Sequence, residues 1–269
     1  MVEIVPRLDH TKQFIEAVKL NPEKSREELF IDIFEISKEE LEAMLFFGMF
    51  SLDNDIDSLE LQLNKMRKLA NEHFIKEELE LLQKQFPSNR SIQLELFILD
   101  ENDDFVKEKL DGVSAFTEWD GRMCFAVLPE DNIRTALKSV ITHEYHHHWR
   151  ISALDMNEES QTLLDRLILE GLAEHFVRIK LGEVYLGPYK DALTEDDAKT
   201  LWKNTYKEHL FDKGQITDLY MFGNKEKGLP FWGGYSLGYY LVKWYLERNE
   251  GISIEELTLL PSDKFIAYL

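Results

Sequence analysis

Cysteine is nearly absent from this 269-residue chain, where Cys124 stands alone. No intrachain disulfide can form, and a zinc site built on several thiolates is excluded. A lone thiol fits a reducing compartment, so the expected location is the cytoplasm. Positive charge is also scarce: Lys and Arg number 31 against 51 Asp and Glu, for a formal net charge of -20. Such a surface repels phosphate backbones and anionic lipid, so nucleic acid is not an expected partner. The start, "MVEIVPRLDH", lacks basic residues followed by an apolar run, so no signal peptide is expected. The greasiest patch, "AMLFFGMF", is too short and too interrupted to span a bilayer. Internal repeats and low-complexity tracts are missing as well.

What is present is enough for a core, with 44% hydrophobic residues. Residues 8 to about 85 carry apolar residues at three- and four-residue spacing and read as helices. "FPSNRS" breaks that pattern. "SIQLELFILD" then alternates, and "GVSAFTEWDGRMCFAVLP" places Trp-Asp-Gly between two β-prone runs, the mark of a hairpin. Asp131 and Asn132 offer a cap for a strong helix. The expected fold class is α+β, mostly helical, with a small sheet ahead of that helix. The expected division is a helical region over residues 1–88 and a second domain over 89–269. The second domain would hold the sheet (91–128), helices over 132–151 and 158–181, and further helices with breaks near Gly187-Pro188 and "MFGNKEKGLPFWGG".

Four of the eight histidines fall in "VITHEYHHHWR", residues 140–150. On a helix, His143 and His147 lie one turn apart on one face with Glu144 beside them. This is His-Glu-x-x-His, in which two imidazoles bind one zinc and the glutamate serves as general base toward the metal's water. Ala136, Leu137, Val140 and Ile151 share that face, so the ligand face is also the buried one. His146 and His148 point elsewhere and read as core-edge groups hydrogen-bonded to backbone.

A catalytic zinc takes three protein ligands and keeps one position for water. In "LLDRLILEGLAEHFVRIKL", Glu170 and Glu174 fall inside an apolar stripe of Leu163, Leu167, Val177 and Leu181. Two carboxylates in such a stripe need a partner, since burying an unpaired charge costs several kcal/mol. A metal would supply one; Arg166 or Arg178 would supply another. Cys124 is a rival third ligand, although its apolar strand setting favours a core thiol.

These segments resemble the gluzincin metallopeptidases, the group of thermolysin and the gluzincin aminopeptidases. The "EGLA" at Glu170 is similar to their Asn-Glu-Gly-Phe-Ala segment, with Leu169 in place of the Asn. The resemblance implies that Glu170 is the third zinc ligand and that Glu174 orients a ligand histidine. "GGYSLGYYLVKWYL" resembles their Tyr-x-x-Gly helix start. That makes Tyr235 the implied catalytic hydroxyl at the oxyanion, with His209 as a fallback donor. Tyr235, Tyr239 and Tyr240 read equally well as packing groups of a helix. The order of segments over residues ~110 to 260 also resembles the YjaZ-type predicted zinc proteases, and so implies a zincin-like metalloprotease fold. In gluzincins an extended substrate adds to the edge of the strand before the zinc helix, a role that would fall within Met123–Leu128. The Gly-x-Met-Glu-Asn of the aminopeptidases is missing upstream, which leans the implied activity toward an endopeptidase or a narrow processing role.

The expected function is therefore a zinc metallopeptidase with one Zn2+ per chain. His143, His147 and Glu170 would hold the metal, Glu144 and Tyr235 would be catalytic, and the partner would be a peptide or protein substrate. The alternative is a zinc-stabilised, non-catalytic binding or scaffold protein on a protease-like fold.

Overall fold

The computed structural model describes residues 1–46 and 48–269. Phe47, inside the apolar patch at residues 43–50, lies outside the described residues. The chain divides into two compact units, one of residues 1–81 and 91–141, the other of 82–90 and 142–269. The architecture is mostly helical α+β with one small mixed sheet.

In the first unit, strand β1 (Val2–Val5) leads into helices α1 (Arg7–Leu20), α2 (Arg26–Phe34), α3 (Lys38–Phe46), α4 (Ile56–Leu69) and α5 (Asn71–Gln85). The side chains of Ser25 and Asp55 cap α2 and α4, each accepting from the backbone N–H three residues on. The helical apolar positions then converge in a cluster of rings, Phe14, Phe30, Phe34 and Phe50, with Phe30 and Phe34 stacked at 3.8 Å.

Strand β2 (Ile92–Ile98), helix α6 (Asp104–Lys109) and strands β3 (Val113–Thr117) and β4 (Arg122–Val127) complete the unit. The sheet order is β1-β2-β4-β3, parallel except for the β3–β4 hairpin. Gly121 turns that hairpin at φ +100°, a conformation that strains any side chain. Near-continuous burial of β2 and β4 fits strands covered on both faces. Gln93 is the one exposed position of β2, whereas the buried Glu95 accepts from Arg7 Nη2 at 2.8 Å, while Arg7 Nη1 donates to Phe34 O at 2.5 Å. The pair is almost fully buried, and removing either partner would strand a charge.

The sheet corrects one expectation. Met123–Leu128 was expected to offer an open edge, yet β4 is paired with β2 on one side and β3 on the other. Its backbone groups are already spent, because the path through α6 and β3 returns β4 to the middle. The outer strands are β1 and β3.

The chain leaves the first unit inside α5, after Leu81, returns to it at Ser91 and leaves it again inside α7 (Arg134–Leu154), after Ile141. The second unit continues with α8 (Leu163–Leu181), α9 (Glu195–Asn204), α10 (Ile216–Phe222), α11 (Gly233–Arg248) and α12 (Ile254–Leu259). The helix expected from 158 begins at Leu163. Thr162 and Asp165 close a capping box there, each side chain accepting from the other's backbone N–H.

Helices α8 and α11 cross at backbone contact. A Cβ on Gly171 would lie 2.1 Å from the carbonyl oxygen of Gly238, and one on Gly238 would lie 2.1 Å from that of Leu167. Neither neighbour is a flexible side chain, so the space must stay empty. Next to this crossing, the buried His175 stacks on Tyr239 at 4.5 Å, and its Nε2 faces the Tyr239 carbonyl at 3.1 Å. Burial lowers His175 to about 3.

Two outcomes are expected. Gly171→Ala and Gly238→Ala should each destabilise by about 1–3 kcal/mol, lowering Tm by about 2–4 °C per kcal/mol; wild-type melting in both would refute the tight crossing. For His175 the folded pKa lies below the unfolded value of ~6.5. The unfolded chain therefore binds more protons below pH 6.5, and stability falls as pH drops from there toward 3, by about 1.4 kcal/mol per unit at most. Denaturant titrations of metal-free protein at pH 6.5 and 4.5 should show a smaller drop in His175→Phe than in wild type.

Candidate metal centre

Every residue from Ile141 to Arg150 is buried, and the polar ones face different partners around α7. The Tyr145 hydroxyl donates to the Phe86 carbonyl. His146 Nε2 lies 3.2 Å from Thr258 Oγ1, and His148 is hydrogen-bonded at the Arg90 backbone. Arg150 donates to the carbonyls of Thr258 and Leu260 at 2.6 and 3.0 Å. Burial holds His146 well below its ordinary pKa and lowers His148 to about 4, so both are neutral imidazoles fixed in packing.

His143, Glu144 and His147 occupy the remaining face, with one donor atom of each within 4.8 Å of the others. Helix α8 brings Glu170 and Glu174 to them. Glu170 Oε2 lies 3.1 Å from His143 Nε2 and 3.5 Å from His147 Nε2. Glu174 Oε1 lies 2.8 Å from His143 Nδ1. Burial favours neutral His143, but its hydrogen bonds to Glu170 and Glu174 outweigh that and push its pKa well up. Burial also disfavours the Glu170 carboxylate, yet the His147 charge and the two histidine hydrogen bonds bring it far below the usual range. Arg166, a rival partner for these glutamates, is engaged instead by Asp218 Oδ1 at 2.6 Å and Thr217 Oγ1 at 2.5 Å.

This donor set fits a zinc ion. Two Nε2 atoms and one carboxylate oxygen converge, and the far nitrogen of His143 is fixed by a second carboxylate, the usual support of a ligating imidazole. Cys124 is not part of the cluster; its thiol donates to Glu95 Oε2 at 3.3 Å, and burial pushes it up. His209 is taken up by Asp212 at 2.8 Å and by the Tyr220 ring.

Tyr235, in the first turn of α11, packs on Tyr189 at 5.2 Å and on Phe222 at 5.8 Å. Its phenol is pushed well up by burial, and the Glu170 and Glu144 charges add to this. Tyr189 was not expected from sequence. It lies in the short 3-10 turn Pro188–Ala192, and its ring meets those of His143 at 5.9 Å and Trp232 at 5.6 Å. Trp232 holds a left-handed backbone at φ +56°, an uncommon state for a bulky residue outside functional sites. The break at Gly187-Pro188 marked this loop, but a single tyrosine after it has no periodicity to betray a role.

Residues 71–267 match the family model described as "Predicted Zn-dependent protease (DUF2268)". The chain is 33% identical over 140 residues to "Uncharacterized protein YjfC" of Bacillus subtilis (strain 168), covering 49% of this chain and 46% of that protein. It is 28% identical over 144 residues to "Uncharacterized protein YjaZ" of the same organism, covering 53% and 54%. The chain thus spans about half the length of the curated relatives it matches. No solved structure gives a significant match. No described helix is long and apolar enough to cross a membrane.

If Glu170 binds the ion and Glu174 only orients His143, Glu174→Ala should weaken zinc binding by about 10–100-fold and Glu170→Ala by more. Competition against a chromophoric chelator measures both, and an unchanged affinity in Glu170→Ala would remove it from the ligand set.

Proposed function

The chain belongs to the family of predicted Zn-dependent proteases, and from that premise we propose that it is a zinc-dependent peptidase hydrolysing peptide bonds with Glu144 as general base. The observation that carries this reading is the position of Glu144. It stands within 4.8 Å of the donor atoms of both His143 and His147, on a helix face where a purely structural zinc would have no use for it. The partner is a peptide or protein substrate, and one Zn2+ per chain is held by His143, His147 and Glu170.

When bound, zinc supplies a Lewis acid that lowers the pKa of water toward neutrality and polarises a carbonyl. The chain's own residues do the rest. Glu144 takes the proton of the attacking water and later passes it to the leaving amine. Tyr235 offers its hydroxyl to the oxygen on which negative charge develops. Glu174 keeps His143 in the tautomer that presents Nε2 to the metal. Burial of residues 141–150 keeps bulk water away, which strengthens each of these electrostatic contacts.

Glu144→Gln should keep its zinc and lose hydrolysis of unfolded casein by about 100-fold or more. Elemental analysis and release of soluble peptides read the two halves separately. Hydrolysis retained in that variant would remove the general-base role, and zinc-loaded wild type that cleaves no peptide would favour a binding protein.

A further inference from the structure

The turn that carries Tyr189 is held in place with unusual care. On one side, the backbone N–H of Gly187 donates to Glu174 Oε2 at 2.9 Å. The other oxygen of that carboxylate sits on His143 Nδ1 at 2.8 Å, so one side chain sets both the ligand histidine and the turn. On the other side, Ser236 binds the middle of the turn and the residue that ends it: its hydroxyl donates to the Lys190 carbonyl at 2.7 Å and accepts from the Leu193 N–H at 3.2 Å. Ser236 directly follows Tyr235, so the two tyrosines are registered against each other through one residue.

The ring itself is fixed from several directions. It meets His143 at an interplanar angle of 66° and Trp232 at 89°, and it lies tilted at 41° against Tyr235. Gly187 completes the seat. A Cβ there would lie 2.3–2.7 Å from Cε2, Cζ and the hydroxyl oxygen of Tyr189, so any larger residue would displace the phenol end of the ring. Packing alone would not call for this, since a ring can shield a histidine without its hydroxyl end being seated. Tyr189 remains partly exposed, as a group that meets substrate must be, and so does Tyr235.

We propose that Tyr189 is a second catalytic hydroxyl of this site, donating a hydrogen bond alongside Tyr235 to the substrate carbonyl oxygen as it becomes negative. The assignment rests on the peptidase reading above. No bond of the tyrosine is made or broken in this role. The phenol keeps its proton and shares it with the oxyanion, in a water-poor site where such donors have their greatest effect.

The test uses the zinc-loaded full chain as wild type, Tyr189→Phe and Tyr235→Phe. Two probes are titrated by calorimetry: a phosphinic dipeptide, whose phosphinyl oxygen stands in for the oxyanion, and a mercaptoacetyl peptide, which offers the metal sulfur and no such oxygen. Tyr189→Phe should weaken the phosphinic probe at least about 10-fold and leave the thiol probe unchanged. Its kcat on casein-derived peptides should fall about 10–1,000-fold with KM within about two-fold. Zinc content and Tm should match wild type. Wild-type affinity for the phosphinic probe together with wild-type kcat would overturn the proposal, and so would a loss of activity that follows a loss of zinc or of Tm. If zinc-loaded wild type neither cleaves peptides nor binds either probe, the peptidase reading itself falls, and Tyr189 falls with it.

Discussion

A buried imidazole engaged at both nitrogens by carboxylates organises the second unit. Glu174 faces Nδ1 of His143 and Glu170 faces Nε2. Neither carboxylate could be buried without a partner of opposite charge, and Arg166 of the same helix is engaged by Thr217 and Asp218 instead. The two contacts therefore fix the register of α8 on α7 to within one side chain. That register places Gly171 against Gly238, and the close crossing carries the start of α11, with Tyr235, to the same place. The free oxygen of Glu174 then ties down Gly187. An ion at the His143 and His147 nitrogens would take over the attraction that Glu170 now exerts on the two imidazoles directly.

The crowding of histidines in α7 follows from the same economy of space. Residues 141–150 are buried on every side, so their polar side chains must find partners within the protein. His146 and Arg150 do so by holding the segment from Thr258 to Ser262, and Tyr145 and His148 by holding Phe86 and Arg90. Only His143 and His147 are left to converge. The neutral state of His146 and His148 matters here, because two further positive charges beside a cation site would weaken it.

Much of this was legible in sequence, and what was not has physical reasons. The His143-Glu144-His147 cluster lies within two helical turns, where spacing alone dictates geometry. Glu170 and Glu174 betrayed themselves as acids in an apolar stripe. The hairpin around Asp120-Gly121 was legible because its turn is local. By contrast, β1 is four residues pairing with a strand some ninety positions away, and no local pattern encodes that partner. The central place of β4 is likewise set by the crossover path. The start of α8 depended on whether Thr162 or an earlier residue wins the cap. Tyr189 was hidden because its position comes from Gly187, Glu174 and Ser236 on three different elements.

The proposed function requires that His143, His147 and Glu170 together hold one zinc ion. Crystals of the zinc-loaded protein, measured on both sides of the zinc absorption edge, test it most directly. A single anomalous peak per chain is expected, bonded to those three side chains, with Glu174 still on His143 Nδ1. A peak on other residues, or none in protein shown to be exposed to zinc, would contradict it.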